Sequence, residues 1–196
     1  MPGQRRTLEL TDPRALRAVA HPVRLALVAL LRREGPLTAT QAGELLGESA
    51  ASCSFHLRQL AKYGLVEEAG GGRGRERPWR ATALFTSWPN VAPTTETAAA
   101  AEVLNRLVIE RYFEQIMRWL EARSDEPLEW REAAGFGDWM LYLTPSEAAE
   151  LDGRIRAVVD PYVDRVAEPD TRPDGARPVT FVQFLFPWQP DQTRPR

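Results

Sequence analysis

The stretch that decides the fold is TATQAGELLGESAASCSFHLRQLAKYGLV, residues 38–66. It reads as two short helices joined by a turn and running into a strand. Thr38 and Gln41 have the spacing of a capping box, in which two backbone donors at a helix start are satisfied reciprocally. Leu45 and Leu46 supply that helix with an apolar face, and Gly47 ends it, glycine being at ease in a left-handed cap. Ser49 caps the second helix. Along it Cys53, Leu57 and Leu60 recur at the spacing of a buried helical stripe. The opposite face carries Ala51, Phe55, Arg58 and Lys62, with Ala50, Ser54 and His56 on its flanks. Such a helix buries one stripe and offers small, hydroxyl and basic groups outward, a surface that the major groove of DNA admits.

Upstream, Asp12-Pro13 marks a helix start, with aspartate as cap and proline pre-organised for the first turn. Leu16, Val19 and Ala20 face inward from it. His21-Pro22 breaks and restarts the helix, because the residue before proline avoids the helical region. Val23, Leu27, Leu30 and Leu31 give the next helix its buried stripe, with Arg24, Arg32 and Arg33 expected outside, and Gly35-Pro36 ends it. Downstream, residues 65–69 and 78–82 flank GGGRGRER and read as a β-hairpin. Its tip carries Arg73, Arg75 and Arg77, and Pro78 requires an edge position. A basic hairpin tip is either a phosphate-binding arm or a solvated loop. Directly after two such helices the first reading is favoured.

At these residues the chain resembles the ArsR-type winged-helix transcription regulators. The resemblance rests on Ala42, Leu45 or Leu46, Ser49, Ser54, His56, Leu57, Leu60, Gly64, Leu65 and Val66, and it extends over residues 12–82. It implies an α+β fold with a winged helix-turn-helix domain over residues 1–86 and the hairpin as its wing. It also implies that His56 contacts the DNA backbone or packs beneath it. The surface offered to double-stranded DNA then comprises Thr38 and Gln41 on the first helix of the pair; Ser49, Ala50, Ala51, Ser52, Ser54, Phe55, His56, Arg58 and Lys62 on the second; and Arg73, Arg75 and Arg77 on the wing.

Residues 87–97 are proline- and threonine-rich and read as a linker. A long helix is expected from 97 to 123. Leu104, Val108, Tyr112, Ile116 and Leu120 form one row along it, flanked by Val103 and Leu107 on one side and by Ile109, Phe113 and Met117 on the other. That apolar arc is wider than a single neighbour requires. In ArsR-like proteins the helix after the wing often forms the dimer interface. Val103, Leu104, Leu107, Val108, Tyr112, Ile116 and Leu120 are therefore the dimerisation candidates, coverage within one chain being the competing reading.

Residues 124–196 are expected to form a small strand–helix–strand region. A short extended piece falls at 128–132, strands at 136–143 and 179–186, and a helix starts at the capping box Thr144-Pro145-Ser146-Glu147. Trp119, Trp130, Trp139 and Trp188 lie in this half of the chain. They suit either the lining of a small apolar effector pocket or a core or interface, the second being commoner.

A net charge of −2 conceals an asymmetry: residues 1–82 hold 13 basic and 8 acidic side chains, and the remainder hold 12 and 19. A basic amino-terminal part joined to an acidic remainder suits a polyanion-binding module. No run of about 18 apolar residues is present, and the first residues lack the apolar segment of a secretory signal, so a cytoplasmic protein with no membrane partner is expected. One cysteine and two histidines argue against disulfides and multi-thiolate metal sites. The metal sites familiar in ArsR-like proteins need a cysteine pair on the third helix, or histidines with acids on the dimer helix, and neither set is present. No metal, no cofactor and no catalytic constellation is expected; Cys53 and His56 lie three apart, but the thiol belongs to the core row. The leading reading is a homodimeric, sequence-specific DNA-binding regulator. A winged-helix protein-interaction module is the alternative, because Ala50 and Ala51 offer bases only apolar contact.

Overall fold

The computed structural model describes residues 5–72 and 77–189. Strand β1 (Arg5–Glu9) leads into helices α1 (Pro13–Val19), α2 (Pro22–Glu34), α3 (Ala39–Leu46) and α4 (Ala50–Ala61). Helices α1, α3 and α4 begin on the side chains expected of them, whereas α2 begins on His21, which sequence marks as a break and restart but not as a cap. Asp12 accepts from the Arg14 amide at 2.8 Å, and the Nδ1 of His21 accepts from the Val23 amide at 3.2 Å. Thr38 and Gln41 close their capping box, and Ser49 accepts from the Ser52 amide. Gly47 ends α3 at φ 69°, in the left-handed region. These are local bonds between residues two or three apart, each contributing roughly 1 kcal/mol to helix stability.

After α4 come β2 (Val66–Glu68), β3 (Trp79–Ala81) and β4 (Ala83–Ser87). The β2–β3 pair is an antiparallel hairpin with Val66 opposite Ala81 and Glu68 opposite Trp79, and Leu37 bridges to Trp79 on the far side. Pro78 sits just outside the ladder, where its carbonyl accepts from the Ala69 amide. Past Thr82 the chain changes partners: β4 runs parallel to β1, with Arg5 opposite Ala83 and Glu9 opposite Ser87. The β1 strand was not anticipated from the sequence.

Leu16, Leu27, Leu31, Leu57, Leu60, Leu65 and Leu104 are fully buried and form the heart of one core. At about 1.5–3 kcal/mol each on removal from water, such side chains dominate the stabilisation of this half. Arg32 does not point outward as expected. Its Nε donates to the Ala83 carbonyl at 2.9 Å and its Nη2 to the Thr86 hydroxyl at 2.6 Å. Burial draws the Arg32 guanidinium down to about 10, so it remains charged at neutral pH while it clasps α2 to β4.

Helix α5 (Thr95–Ala122) starts two residues before expectation, on the Thr94 cap. Its first turns bury Thr97, Ala100, Ala101 and Leu104, with α1 packed against it. Leu104 is therefore buried within its own chain rather than lying on a free face, and Val108 packs against the same core. Leu107, Tyr112 and Ile116 are half-buried. Val103, Ile109, Phe113, Met117 and Leu120 remain exposed, Phe113 at 61 %.

Beyond α5 two expectations fail. Residues 128–132 are not extended: Leu128–Ala133 is a helix, α6, in which the Pro127 carbonyl accepts from the amides of Trp130 and Arg131. Proline immediately before a run of good helix formers starts a helix as readily as it blocks one. Residues 136–143 and 179–186 join no ladder among the described residues, so the strand–helix–strand unit is reduced to its helix, α7 (Pro145–Ala167). The capping box of α7 is formed as expected. Leu104 is the last buried residue among those described.

Candidate nucleic-acid interface

Helix α4 divides its two faces sharply. Cys53, Leu57 and Leu60 are fully buried. Burial, with the Glu48 carboxylate second, raises the Cys53 thiol above its ordinary value, which removes it as a nucleophile at neutral pH. On the other face Ala50, Ala51, Phe55, Arg58 and Lys62 are exposed, with Ser52, Ser54 and His56 half-buried at the margin. Phe55 is 51 % exposed and is the one large apolar side chain among these residues. Three of the expected contact side chains already serve as caps: Thr38 and Gln41 to each other, and Ser49 to the Ser52 amide. Anything they offer a ligand is offered from a fixed position.

His56 is turned under the helix. Its ring lies 4.6 Å from that of His21, at the junction of α1 and α2, and 5.2 Å from Phe55 edge-on. The Nδ1 of His56 is buried with no hydrogen-bond partner among the described residues, as is the Nε of Arg24. Burial first and the Arg24 charge second hold both imidazoles below their usual value; for His21 the neighbouring His56 adds to this, and Glu48 opposes it for both. A neutral imidazole pair thus seats the outward face of α4.

The turn between α3 and α4 depends on a residue that sequence reading passed over. A Cβ on Gly43 would lie 2.6 Å from the Glu48 carbonyl oxygen and 3.3 Å from the Ala50 amide nitrogen. The Glu48 amide donates back to the Gly43 carbonyl at 2.9 Å. Glycine here lets the backbone of the turn close onto α3 and sets how α4 projects. A glycine in the middle of a helix-forming run was the available signal.

Residues 19–69 match the family model of a helix-turn-helix domain. That match spans α2, α3, α4 and β2, the elements that present the α4 face. No curated protein matches the chain. The helix-turn-helix match indicates DNA as the partner class.

The hairpin beside this helix-turn-helix unit carries charge that is partly paired. Arg77 meets Glu68 at 3.1 Å and Arg80 meets Glu67 at 2.8 Å, all four side chains open to water. Ion pairs so exposed contribute about 0–1 kcal/mol, so Arg77 is held only weakly by Glu68. Arg73 and Arg75 lie outside the described residues.

Among the described residues no group of three or more histidine, cysteine, aspartate or glutamate side chains is placed to hold a metal ion. No helix among them is long and apolar enough to cross a membrane. The four tryptophans do not share a pocket. Trp119 stacks edge-on with Phe136 at 5.5 Å, Trp130 lies under Arg177 at 4.9 Å, and Trp139 and Trp188 are 81 % and 65 % exposed. A groove of about 390 Å³ runs between the start of α2, the end of α3 and α5, lined in part by Leu46, Leu107, Glu110, Arg111 and Arg118.

Proposed function

We propose that the protein is a sequence-specific transcriptional regulator of the ArsR-like winged-helix type that binds a palindromic or pseudo-palindromic operator as a homodimer, without metal sensing and without catalysis. The supporting observation is the division of α4: one face wholly buried on Cys53, Leu57 and Leu60, the other presenting Ala51, Phe55, Arg58 and Lys62. A helix anchored in this way enters the major groove as a rigid body, so base contacts by Ser54, Phe55 and Arg58 order side chains but no backbone. The β2–β3 hairpin serves as the wing, its arginines meeting phosphates, which position a protein without reading sequence. In this reading residues 1–86 are the DNA-binding domain, α5 supplies the dimer contact, and residues 124–196 add to assembly.

Binding measured over a salt series on operator and random DNA tests this. Substituting Arg73, Arg75 or Arg77 by alanine should weaken binding to both DNAs alike and flatten the salt slope by roughly one unit per lost contact, about two in a dimer. Arg58→Ala and Phe55→Ala should instead lower the preference for operator, by about 1–3 kcal/mol per lost base contact. Equal losses on both DNAs would make α4 a backbone contact. No loss from either set would favour a protein-interaction module, for which Leu45 at 57 % and Phe55 at 51 % exposure would be the docking side chains.

A further inference from the structure

We propose that residues 136–143 and 179–186 are strands completed by a second copy of this chain, so that the carboxy-terminal region is an intertwined assembly element. The proposal rests on the homodimer reading and extends it from α5 to the region beyond.

Both segments, FGDWMLYL and VTFVQFLF, have the composition of strands, and they contain one charged residue between them, Asp138. No backbone amide or carbonyl in either makes a hydrogen bond to another described residue. Their side chains are uncovered on both faces: Trp139 is 81 %, Met140 66 % and Tyr142 98 % exposed, and Phe181 and Phe186 are 66 % and 75 %. Unpaired backbone beside bare aromatic side chains is the template for adding a strand from another chain.

The segments are nevertheless held in place. Arg177 makes a bidentate pair with Glu126 at 2.7 and 3.0 Å, and Gln183 donates to Asp152 on α7 at 3.3 Å. The ring of Phe136 meets that of Trp119 on α5. One hydrogen bond from the second segment, one ion pair two residues before it and one ring contact at the start of the first thus accompany an apolar surface left open.

Area indicates a second copy. The chain exposes 14470 Å², whereas a folded monomer of 22.0 kDa exposes roughly 9,300 Å². The excess per chain is on the order of 5,000 Å², above the ~800 Å² per partner of a standard interface and more than enough for the roughly 1,000–2,500 Å² per partner of an obligate dimer. Sixteen of the twenty-five exposed large hydrophobic residues among those described lie from Leu128 onward. The region also meets α5, the helix that exposes Ile109, Phe113 and Met117 along one line, where Phe136 packs on Trp119. A two-fold axis beside α5 would bring both copies of this surface together. The two segments carry a single charge between them, so like-charge repulsion along the paired strands is slight.

The test is amide hydrogen exchange on the full chain over a range of concentrations, with the mass followed by sedimentation. Protection of the amides of 136–143 and 179–186 should appear with the dimer and vanish on dilution to monomer. Tyr142→Pro removes one ladder donor at a side chain that touches nothing, and it should raise the dimer dissociation constant by roughly tenfold or more while abolishing protection of its segment. A dimer in which these amides exchange as in free peptide would overturn the strand proposal and leave the homodimer standing. Protection in a monomer would mean a sheet closed within one chain and would also overturn it. A chain that is monomeric and unprotected at every concentration would overturn both.

Discussion

Gly43 and the histidine pair show how much of the α4 platform rests on single residues. In an exposed helix Gly→Ala is stabilising by about 1 kcal/mol. At Gly43 the sign should reverse, because the added methyl meets the Glu48 carbonyl oxygen at 2.6 Å, part of the backbone of the turn itself. Overpacking of this kind costs about 1–3 kcal/mol. Urea unfolding of Gly43→Ala should show a lower midpoint and weaker DNA binding; a midpoint at or above the parent's would mean that the turn opens freely. His21 and His56 predict a pH dependence. Their folded values lie below the ordinary imidazole value, so the unfolded chain binds more protons as the pH falls. The stability they contribute is complete above about 6.5 and is lost as pH drops through that value towards the folded ones. Thermal unfolding from pH 8 to 5.5 should show this loss, and His56→Gln should reduce it; an unchanged pH profile in that variant would remove the pair from the account.

Elements differ in how far they can be read from their own residues. Helices α1, α3, α4 and α7 start at caps legible in sequence, because a cap and the donor it satisfies lie within three residues of each other; the caps of α2 and α5, His21 and Thr94, are not among them. The role of Arg32 could not be seen that way: on a helical wheel it belongs to the outer face of α2, and only the arrival of β4 offers its guanidinium an acceptor. Arg32→Met should remove the side-chain donors to the Ala83 carbonyl and the Thr86 hydroxyl at a cost of about 1–3 kcal/mol. Exchange protection should then fall at β4 and β1 more than in α3 and α4. Uniform loss across the domain would mean that Arg32 stabilises the core generally rather than this junction.

At the scale of the molecule, a basic, well-packed first part is joined through α5 to an acidic part with little buried surface of its own. If α5 is the dimer contact, Phe113→Glu should yield monomers without disturbing the amino-terminal core, since Phe113 is exposed whereas Leu104 and Val108 are not free to serve. A variant that sediments as an unchanged dimer would move the interface away from α5. With one cysteine and two histidines in the chain, and those histidines facing each other beneath α4, operator affinity should not respond to micromolar zinc or to a chelator. A reversible metal effect on binding would contradict that.

Sequence alone determined the caps at Asp12, Thr38, Ser49 and Thr144, the turn at Gly47, the division of α4 into a buried and an offered face, and the position of the β2–β3 hairpin. All of these are interactions between near neighbours, or periodicities that one helix imposes on itself. Tertiary structure decided the rest: that residues 5–9 pair in parallel with 83–87, that Arg32 turns inward, that Gly43 must lack a side chain, and that Leu104 closes the core. Each depends on a partner brought close by the fold, and the closure of a long loop leaves no mark on local pattern. The carboxy-terminal segments, which join no ladder among the described residues, follow from the same physics. Residues 136–143 and 179–186 have the composition of strands, but a strand exists only where another backbone lies alongside to receive its hydrogen bonds.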